Sequence, residues 1–509
     1  RRDFIKAALA GAAVFGVGSV VQALPNANPS GGHYIILVFD AWSAENVSLY
    51  GYPRPTMPNL EKFAQKATVY HKHHSAGTFT TPGVASLVSG MYPFTHRALN
   101  LKSNIVSSQA NKTIFTAFSK HMKTVAFTQN IQADQILGQA EPFIDKHIPL
   151  ASFNLDRWYA FAQPPFNRDS FAAFNSLDVG ILNQNSDFSS SFLLGPVYDQ
   201  LRTYSKDKLE IANAADYPRG LPNTGEVYSL ASIVQGLIDT LGDLREPSLV
   251  YFHIYTPHEP YSPEEKFNKV FSTDGVKIPI LPDHPLVTEP SKEATMIKDR
   301  RNYDAYLASW DDELARFFAF YEASGLKGNS TLAITADHGE MFNRGLVGHV
   351  ADLLFEPLLH IPLVISLPGQ AEQINNHTPT CSVDILPTFC DLAGLDVPAW
   401  AQGVPLPGLP GMSNSGTAPD PERAFYAFDA KNNSAFGHFT QYSIAMFKGG
   451  KKLVYYHRPA YTGFEFYDLE DDPGETKDLY PKKLAVCVEM ENDLRQKLKE
   501  IDAVIEDPA

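Results

Sequence analysis

His33 to Phe39 reads HYIILVF, a continuous apolar run that ends at Asp40. An apolar run without polar alternation needs cover on both faces, and the interior of a helix-flanked parallel sheet provides it. Similar runs occur at Thr124–Phe127, Leu249–Ile254, Thr331–Thr335 and Leu363–Ser366. Helical patterns lie between them. One opens at Met57–Phe63, and Tyr303 to Tyr321 carries separate acidic and apolar faces. Strands alternating with helices predict an α/β fold on a large, mostly parallel sheet flanked by helices. Hydrophobic residues are 44% of the chain and charged residues 19%, so the bulk of it can bury a core and is not disordered.

The 509 residues suit two to four domains, or one large domain with a satellite, at about 150 residues each. The catalytic-sized α/β unit is expected over 33–395. The Pro-, Gly- and Ser-rich stretch Pro398–Pro421 reads as a linker or long loop. Beyond it, Lys452–Tyr456 and Gly463–Tyr467 read as strands and Leu484–Ile501 as a terminal helix, which predicts a smaller C-terminal α+β subdomain over 423–505. Residues 150–245 carry many aromatics and no clear period, and read as an insertion over one end of the sheet. Trp158, Tyr159, Phe161, Phe166, Phe171 and Phe174 either pack that insertion or floor a substrate pocket.

The first segment, Arg1-Arg2-Asp3-Phe4-Ile5-Lys6 followed by apolar residues from Ala7 to Val21 and then Gln22-Ala23, has the layout of an export signal. It is too short for the ~20 residues of a bilayer span. The paired arginines suggest twin-arginine export, with cleavage near Ala23, of a bacterial protein folded before it leaves. A membrane anchor or a core helix is the alternative. The expected location is periplasmic or extracellular, and no later run of ~18 uncharged apolar residues predicts a membrane span.

The balance of 42 Lys+Arg against 57 Asp+Glu gives a net charge of −15, which argues against a general affinity for nucleic acid or anionic lipid. Three cysteines are too few for a thiolate metal cluster. Cys381 and Cys390 read as small buried hydrophobes rather than a disulfide. His71, His73 and His74 read as a solvated loop, with His74 close enough to Thr80 to line a site entrance. Asp311, Asp312 and Glu313 read as a solvated face or ion-pair partners, Lys448, Lys451 and Lys452 as a surface group, and Arg97 as loop support.

Candidate functional groups follow the strand-like runs. Asp40 ends the first, His258 follows Leu249–Ile254, Asp337 and His338 follow Thr331–Thr335, and Thr80 opens a helix. In open α/β sheets ligands bind beyond the carboxyl ends of the strands. Two Asp, one His and one hydroxyl suit a divalent cation. In Thr80-Thr81-Pro82-Gly83, Thr81 suits an N-cap and Pro82 the first turn, with Gly90 as the stop. Thr80 then lies where backbone N–H groups favour an anion, although capping alone would also account for both threonines.

Several segments resemble the sulfatase family of the alkaline phosphatase superfamily. They are Asp40-Ala41, Leu49-Tyr50-Gly51-Tyr52, Thr56-Met57-Pro58-Asn59-Leu60, Thr80-Thr81-Pro82, Leu87 to Pro93, Tyr255-Thr256-Pro257-His258-Glu259-Pro260-Tyr261, Ala336-Asp337-His338-Gly339-Glu340, Gly348-His349, Phe355-Glu356, Ile361 to Ile365, Pro368-Gly369 and Tyr467 to Thr476. They run in family order across most of the chain. The resemblance implies one divalent ion (Mn, Mg, Ca or Zn) on Asp40, Thr80, Asp337 and His338, Thr80 as nucleophile, and His258 and His349 on the substrate. It also implies a large α/β domain with a smaller C-terminal one.

The departures carry equal weight. Family sulfatases convert a Cys or Ser in Cys/Ser-x-Pro-x-Arg to formylglycine; here those positions are Thr80 and Val84, so no formylglycine is expected. The second acid of the usual Asp pair is Ala41. Thr80 resembles the branch that handles phosphoesters, which implies an exported hydrolase of phosphate monoesters or diesters through a covalent Thr80 intermediate. The substrate would be a small molecule or a glycan- or lipid-linked ester. Sulfuric ester hydrolysis, phosphoglycerol or phosphoethanolamine transfer, and a non-catalytic binding protein with a decayed site are the alternatives.

Overall fold

The computed structural model describes residues 32–155, 195–225, 227–412, 420 and 422–503. Its strands are β1 His33–Phe39, β2 Thr68–Tyr70, β3 His73–His74, β4 Lys123–Thr128, β5 Lys146–Ile148, β6 Ser248–Ile254, β7 Ser330–Ala336, β8 Met341–Asn343, β9 Leu346–Gly348, β10 Leu363–Ser366, β11 Ile374–Asn376, β12 Thr380–Cys381, β13 Phe425–Asp429, β14 Tyr442–Lys448, β15 Lys451–Arg458 and β16 Tyr461–Asp468. Eight of them form one sheet in the order β11-β2-β10-β7-β1-β6-β4-β5, in which β10 alone runs antiparallel to its neighbours. β3 pairs with β12, β8 with β9, and β13 to β16 form a four-stranded antiparallel meander.

The apolar runs are buried on both faces, as their composition requires. Along β1, Ile35, Leu37 and Phe39 point into one core and Tyr34, Ile36 and Val38 into another. Helix Glu293–Ala323 covers the first face with Tyr306, Trp310, Leu314 and Phe317, joined by Leu230–Gly242. Helices Thr80–Ser89, Ile131–Gln139 and Ile385–Leu392 cover the second through Val84, Leu87, Ile136, Leu386 and Phe389. Burying each such side chain stabilises the fold by about 1.5–3 kcal/mol. Leu230–Gly242, inside the stretch 150–245, thus belongs to the main core. The aromatics from Trp158 to Phe174 lie outside the described residues.

The C-terminal meander packs under helix Ala485–Glu500, which buries Cys487, Met490, Leu494 and Leu498 at helical spacing. The same core takes in Tyr92, Phe94 and Leu353 to Phe355 from the large domain. Where the sequence suggests a surface lysine group, Lys452 is fully buried, because alternate residues of β15 face the large domain; its Nζ pairs with Glu356 (2.8 Å) and Glu475 (2.7 Å). Asp311 is likewise no solvated acid: its oxygens accept the Asn59 and Leu60 N–H groups at 2.8 and 2.9 Å and cap the Pro58–Ala64 helix. His73 and His74 are buried rather than solvated and hydrogen-bond Thr380 and Glu356. Arg97 supports its loop, as expected, donating to the Phe94 and Gly437 carbonyls. All three cysteines are buried free thiols. No helix of the described residues is long and apolar enough to cross a membrane.

Candidate active site

The sheet register sets the site. Val38 lies level with both His253 on β6 and Thr335 on β7, and Thr128 on β4 is level with His253. Counting by twos along each strand, Asp40, His253, Asp337 and Asn130 share the sheet face that helix Thr80–Ser89 covers. One end of the sheet therefore gathers their side chains under the first turn of that helix.

The helix starts two residues earlier than the sequence suggests. Phe79 is its N-cap residue, Thr80 its first residue, and no side chain caps it. Thr81 is not a cap; its hydroxyl donates to Gln132 Oε1 at 2.8 Å. Gly90 ends the helix in the left-handed conformation, as expected. Thr80 Oγ1 is left free for the site. It lies 3.4 Å from His338 Nε2 and accepts from Asn130 Nδ2 at 3.2 Å. The same amide donates to Asp40 Oδ2 at 2.6 Å. Asn130 Oδ1 meanwhile accepts the Gln132 N–H and caps the Ile131–Gln139 helix, so one side chain fixes both ends of the arrangement.

Four side chains converge beside Thr80. His338 Nε2 is 3.4 Å from Asp40 Oδ1 and 3.5 Å from Asp337 Oδ2; His253 Nε2 is 3.6 Å from Asp40 Oδ2 and 3.7 Å from Asp337 Oδ2. Asp40 Oδ1, Asp337 Oδ2 and His253 Nε2 are buried without hydrogen-bond partners. The backbone is set around this gap. His338 Nδ1 donates to the Gly339 carbonyl, which leaves Nε2 facing the carboxylates. Asp337 Oδ1 accepts from the Ala41 and His338 N–H groups, which leaves Oδ2 free. Ala41 itself takes a left-handed φ of 56°, uncommon for a non-glycine, and the Tyr303 hydroxyl holds its carbonyl at 2.7 Å.

These groups fit a divalent cation. Buried orphan oxygens and nitrogens cost several kcal/mol unless something fills the space between them. Ligands about 2.1 Å from a tetrahedral ion stand about 3.4 Å apart, close to the separations here. The charges agree. Burial, then Asp40, pushes the Asp337 carboxyl up to about 8. Against burial, Asp337 and Asp40 hold His338 up at about 9. Against burial too, the imidazoles of His258, His338 and His253 hold Asp40 well below the usual carboxylate range. Two carboxylates this close ionise together only with positive charge between them.

His258 and His349 line the other side. The His349 ring lies 4.4 Å from His338 and 4.7 Å from His258, and the His258 ring stacks on Tyr255 at 4.3 Å. His258 Nδ1 donates to the Glu259 carbonyl and His349 Nδ1 faces Glu340 at 3.2 Å, so each keeps Nε2 for a ligand. Burial lowers both, His349 to about 3 with His338 adding to it. Glu340 is raised by burial to about 7.

All six sequence-derived positions meet here: Asp40, Thr80, His258, Asp337, His338 and His349. His253 and Asn130 are additions. His253 sits inside the apolar run SLVYFHI of β6, and Asn130 stands directly before the Ile131–Gln139 helix.

A family model described as Sulfatase matches residues 33–395. The chain belongs to the sulfatase family. It is a hydrolase of ester bonds. A second model, N-sulphoglucosamine sulphohydrolase, C-terminal, matches residues 350–503. Among curated sulfatase-family relatives, the ulvan-active sulfatase of Formosa agariphila is 22% identical over 398 residues, 77% of this chain and 66% of that protein. The choline-sulfatase of Rhizobium meliloti is 23% identical over 449 residues, 83% of this chain and 77% of that one. Among solved folds, the phosphonate monoester hydrolase of Agrobacterium radiobacter superposes with a TM-score of 0.67 at 17% identity, covering 92% of this chain and 96% of that one.

Proposed function

We propose that this sulfatase-family hydrolase is an exported, metal-dependent enzyme that cleaves phosphate monoesters or diesters through a covalent Thr80 intermediate. The carrying observation is that an unmodified threonine oxygen stands at the nucleophile position, 3.4 Å from His338 Nε2 and beside the Asp40–Asp337 pair. A formylglycine hydrate can expel sulfate because its second hydroxyl re-forms the aldehyde. Threonine has no second hydroxyl on that carbon, so its ester must be opened by water at the transferred atom, which suits phosphorus.

Asp40, His253, Asp337 and His338 would hold the metal, with Thr80 beside it. His253 makes good the donor lost where the family's second acid is Ala41, and two imidazoles favour a borderline ion such as Zn²⁺ or Mn²⁺ over Mg²⁺ or Ca²⁺. Such an ion would lower the pKa of the Thr80 hydroxyl and neutralise the anion. Asn130 aims the Thr80 oxygen by donating to it and tethers it to Asp40. Thr80 would attack as the alkoxide, its proton already released to solvent; as the Oγ1–P bond forms, the ester P–O bond breaks, and the leaving oxygen takes a proton from the Nε2 of His258 or His349. A bound oxyanion would raise both imidazoles from their depressed values. Water then attacks the phosphothreonine at phosphorus and gives a proton to the same imidazole, and the Oγ1–P bond breaks to restore the Thr80 alkoxide.

The test is turnover of p-nitrophenyl phosphate, bis-p-nitrophenyl phosphate, phenylphosphonate p-nitrophenyl ester and p-nitrophenyl sulfate, with Zn²⁺ or Mn²⁺ added or removed, beside Thr80→Ala. Metal-dependent phosphoester turnover lost in Thr80→Ala supports the reading. Turnover of the sulfate alone overturns it in favour of a sulfuric ester hydrolase, the activity that the relatives' names carry.

A further inference from the structure

A cavity of about 410 Å³ lies between the loop 276–280 and the first turns of helix Glu293–Ala323. Four cations line it, Arg54, Lys277, Arg300 and Arg301, against one acid, Glu293. In a chain of net charge −15 this local surplus is opposite in sign to the whole. Arg54 is already neutralised by Asp274 and Asp304, both at 2.6 Å. Among the described residues, no carboxylate pairs with Lys277, Arg300 or Arg301.

Arg300 is the informative member. It is 7% exposed and makes one hydrogen bond, from Nη2 to the Phe342 carbonyl. A buried guanidinium has five N–H donors in a planar fork, and leaving most of them without an anion is costly. Ile278, Pro279 and Ile297 give the cavity an apolar wall. A fork of unpaired donors beside an apolar surface matches an oxyanion carried on an organic body.

We propose that this cavity binds a small organic anion, a carboxylate, phosphate or sulfate on a body the size of a sugar, apart from the reaction centre. The ligand's oxyanion pairs with Arg300, with Lys277 and Arg301 at the rim. Occupancy reaches the reaction centre through the chain itself. Phe342 lies in β8, and the β8–β9 hairpin runs from just after Glu340 to just before His349, so the Arg300–Phe342 tie braces the segment that orients His349.

Calorimetry on the full chain carrying Thr80→Ala tests this with D-glucuronate, glucose 6-phosphate, glucose 6-sulfate and neutral D-glucose. One or more of the three anions should bind and glucose should not. Which anion binds identifies the oxyanion. Lys277→Gln with Arg301→Gln, both exposed positions, should weaken that binding tenfold or more while circular dichroism stays unchanged, and Arg300→Met should abolish it. Hydrogen exchange in residues 341–348 should slow on binding. Equal binding of glucose, undiminished binding in the Lys277→Gln, Arg301→Gln variant, or no binding of any anion would overturn the site. Binding without slower exchange would overturn the coupling.

Discussion

Gly83 has no room for a side chain because the Asp337 carbonyl stands against it: a Cβ there would lie 2.4 Å from that oxygen. The helix that begins at Thr80 thus rests, backbone on backbone, on the end of the strand that delivers Asp337 and His338. Gly83→Ala must push the two apart. The expected result is a fall in kcat of about 100-fold, since displacements near 1 Å cost that much, with about 1–3 kcal/mol of stability lost to overpacking. Steady-state kinetics with p-nitrophenyl phosphate and denaturant melts check both numbers, and an unchanged kcat would contradict the close fit.

Asn130 has two separable duties, because its oxygen caps a helix and its amide nitrogen holds Thr80 and Asp40. Asn130→Ser keeps a capping oxygen but cannot reach Thr80. Stability should stay within about 0.5 kcal/mol while kcat falls 10- to 100-fold, the cost of one or two charge-assisted hydrogen bonds. Asn130→Ala should lose the cap as well, a further ~1 kcal/mol of stability.

His253 should be a metal ligand. In His253→Ala, metal content after dialysis against a weak chelator should fall well below that of the parent protein. A ligand held at a thousand times its Kd stabilises the fold by about 4 kcal/mol, so strong chelation should lower the parent's Tm. The variant should show a smaller drop, having less metal to lose. Equal retention of metal in the two proteins would place His253 outside the coordination sphere.

His147, on β5, makes stability depend on pH. Against burial, Asp134 at 3.2 Å and Glu141 at 2.6 Å raise its pKa to about 9. The folded state holds this proton more tightly than the unfolded one, so the stabilisation is full below about pH 6.5 and is lost as pH climbs through 9. After screening of the two partly exposed carboxylates it amounts to roughly 1–2 kcal/mol. Urea melts from pH 6 to 9.5 should show that loss in the parent and a flatter profile in His147→Gln.

The fold was legible because β1, β6 and β7 are apolar on both faces, a pattern that needs cover on both sides, as a helix-flanked sheet provides. Asp40, Asp337 and His338 were legible because polar groups directly after such strands fall at its carboxyl edge. His253 was hidden because a histidine within SLVYFHI is indistinguishable from a buried core residue until the register is known. Its even spacing from Leu249 and Tyr251, the residues that face the Thr80 helix, was the available signal. Asn130 was hidden by its own second role, since an asparagine before a helix is fully explained as a cap. Lys452 misled because lysines are rarely buried, and its partners Glu356 and Glu475 arrive from distant parts of the chain.

The most direct test is to quench the enzyme during turnover of a p-nitrophenyl phosphoester and map its peptides by high-resolution mass spectrometry. A phosphoryl group on Thr80, absent when substrate is omitted and with no phosphoryl group on the corresponding peptide of Thr80→Ala, is the expected result. Turnover with no modified Thr80 under any quench, or a sulfonyl group on Thr80 from a sulfate ester with none from a phosphoester, would contradict the assignment.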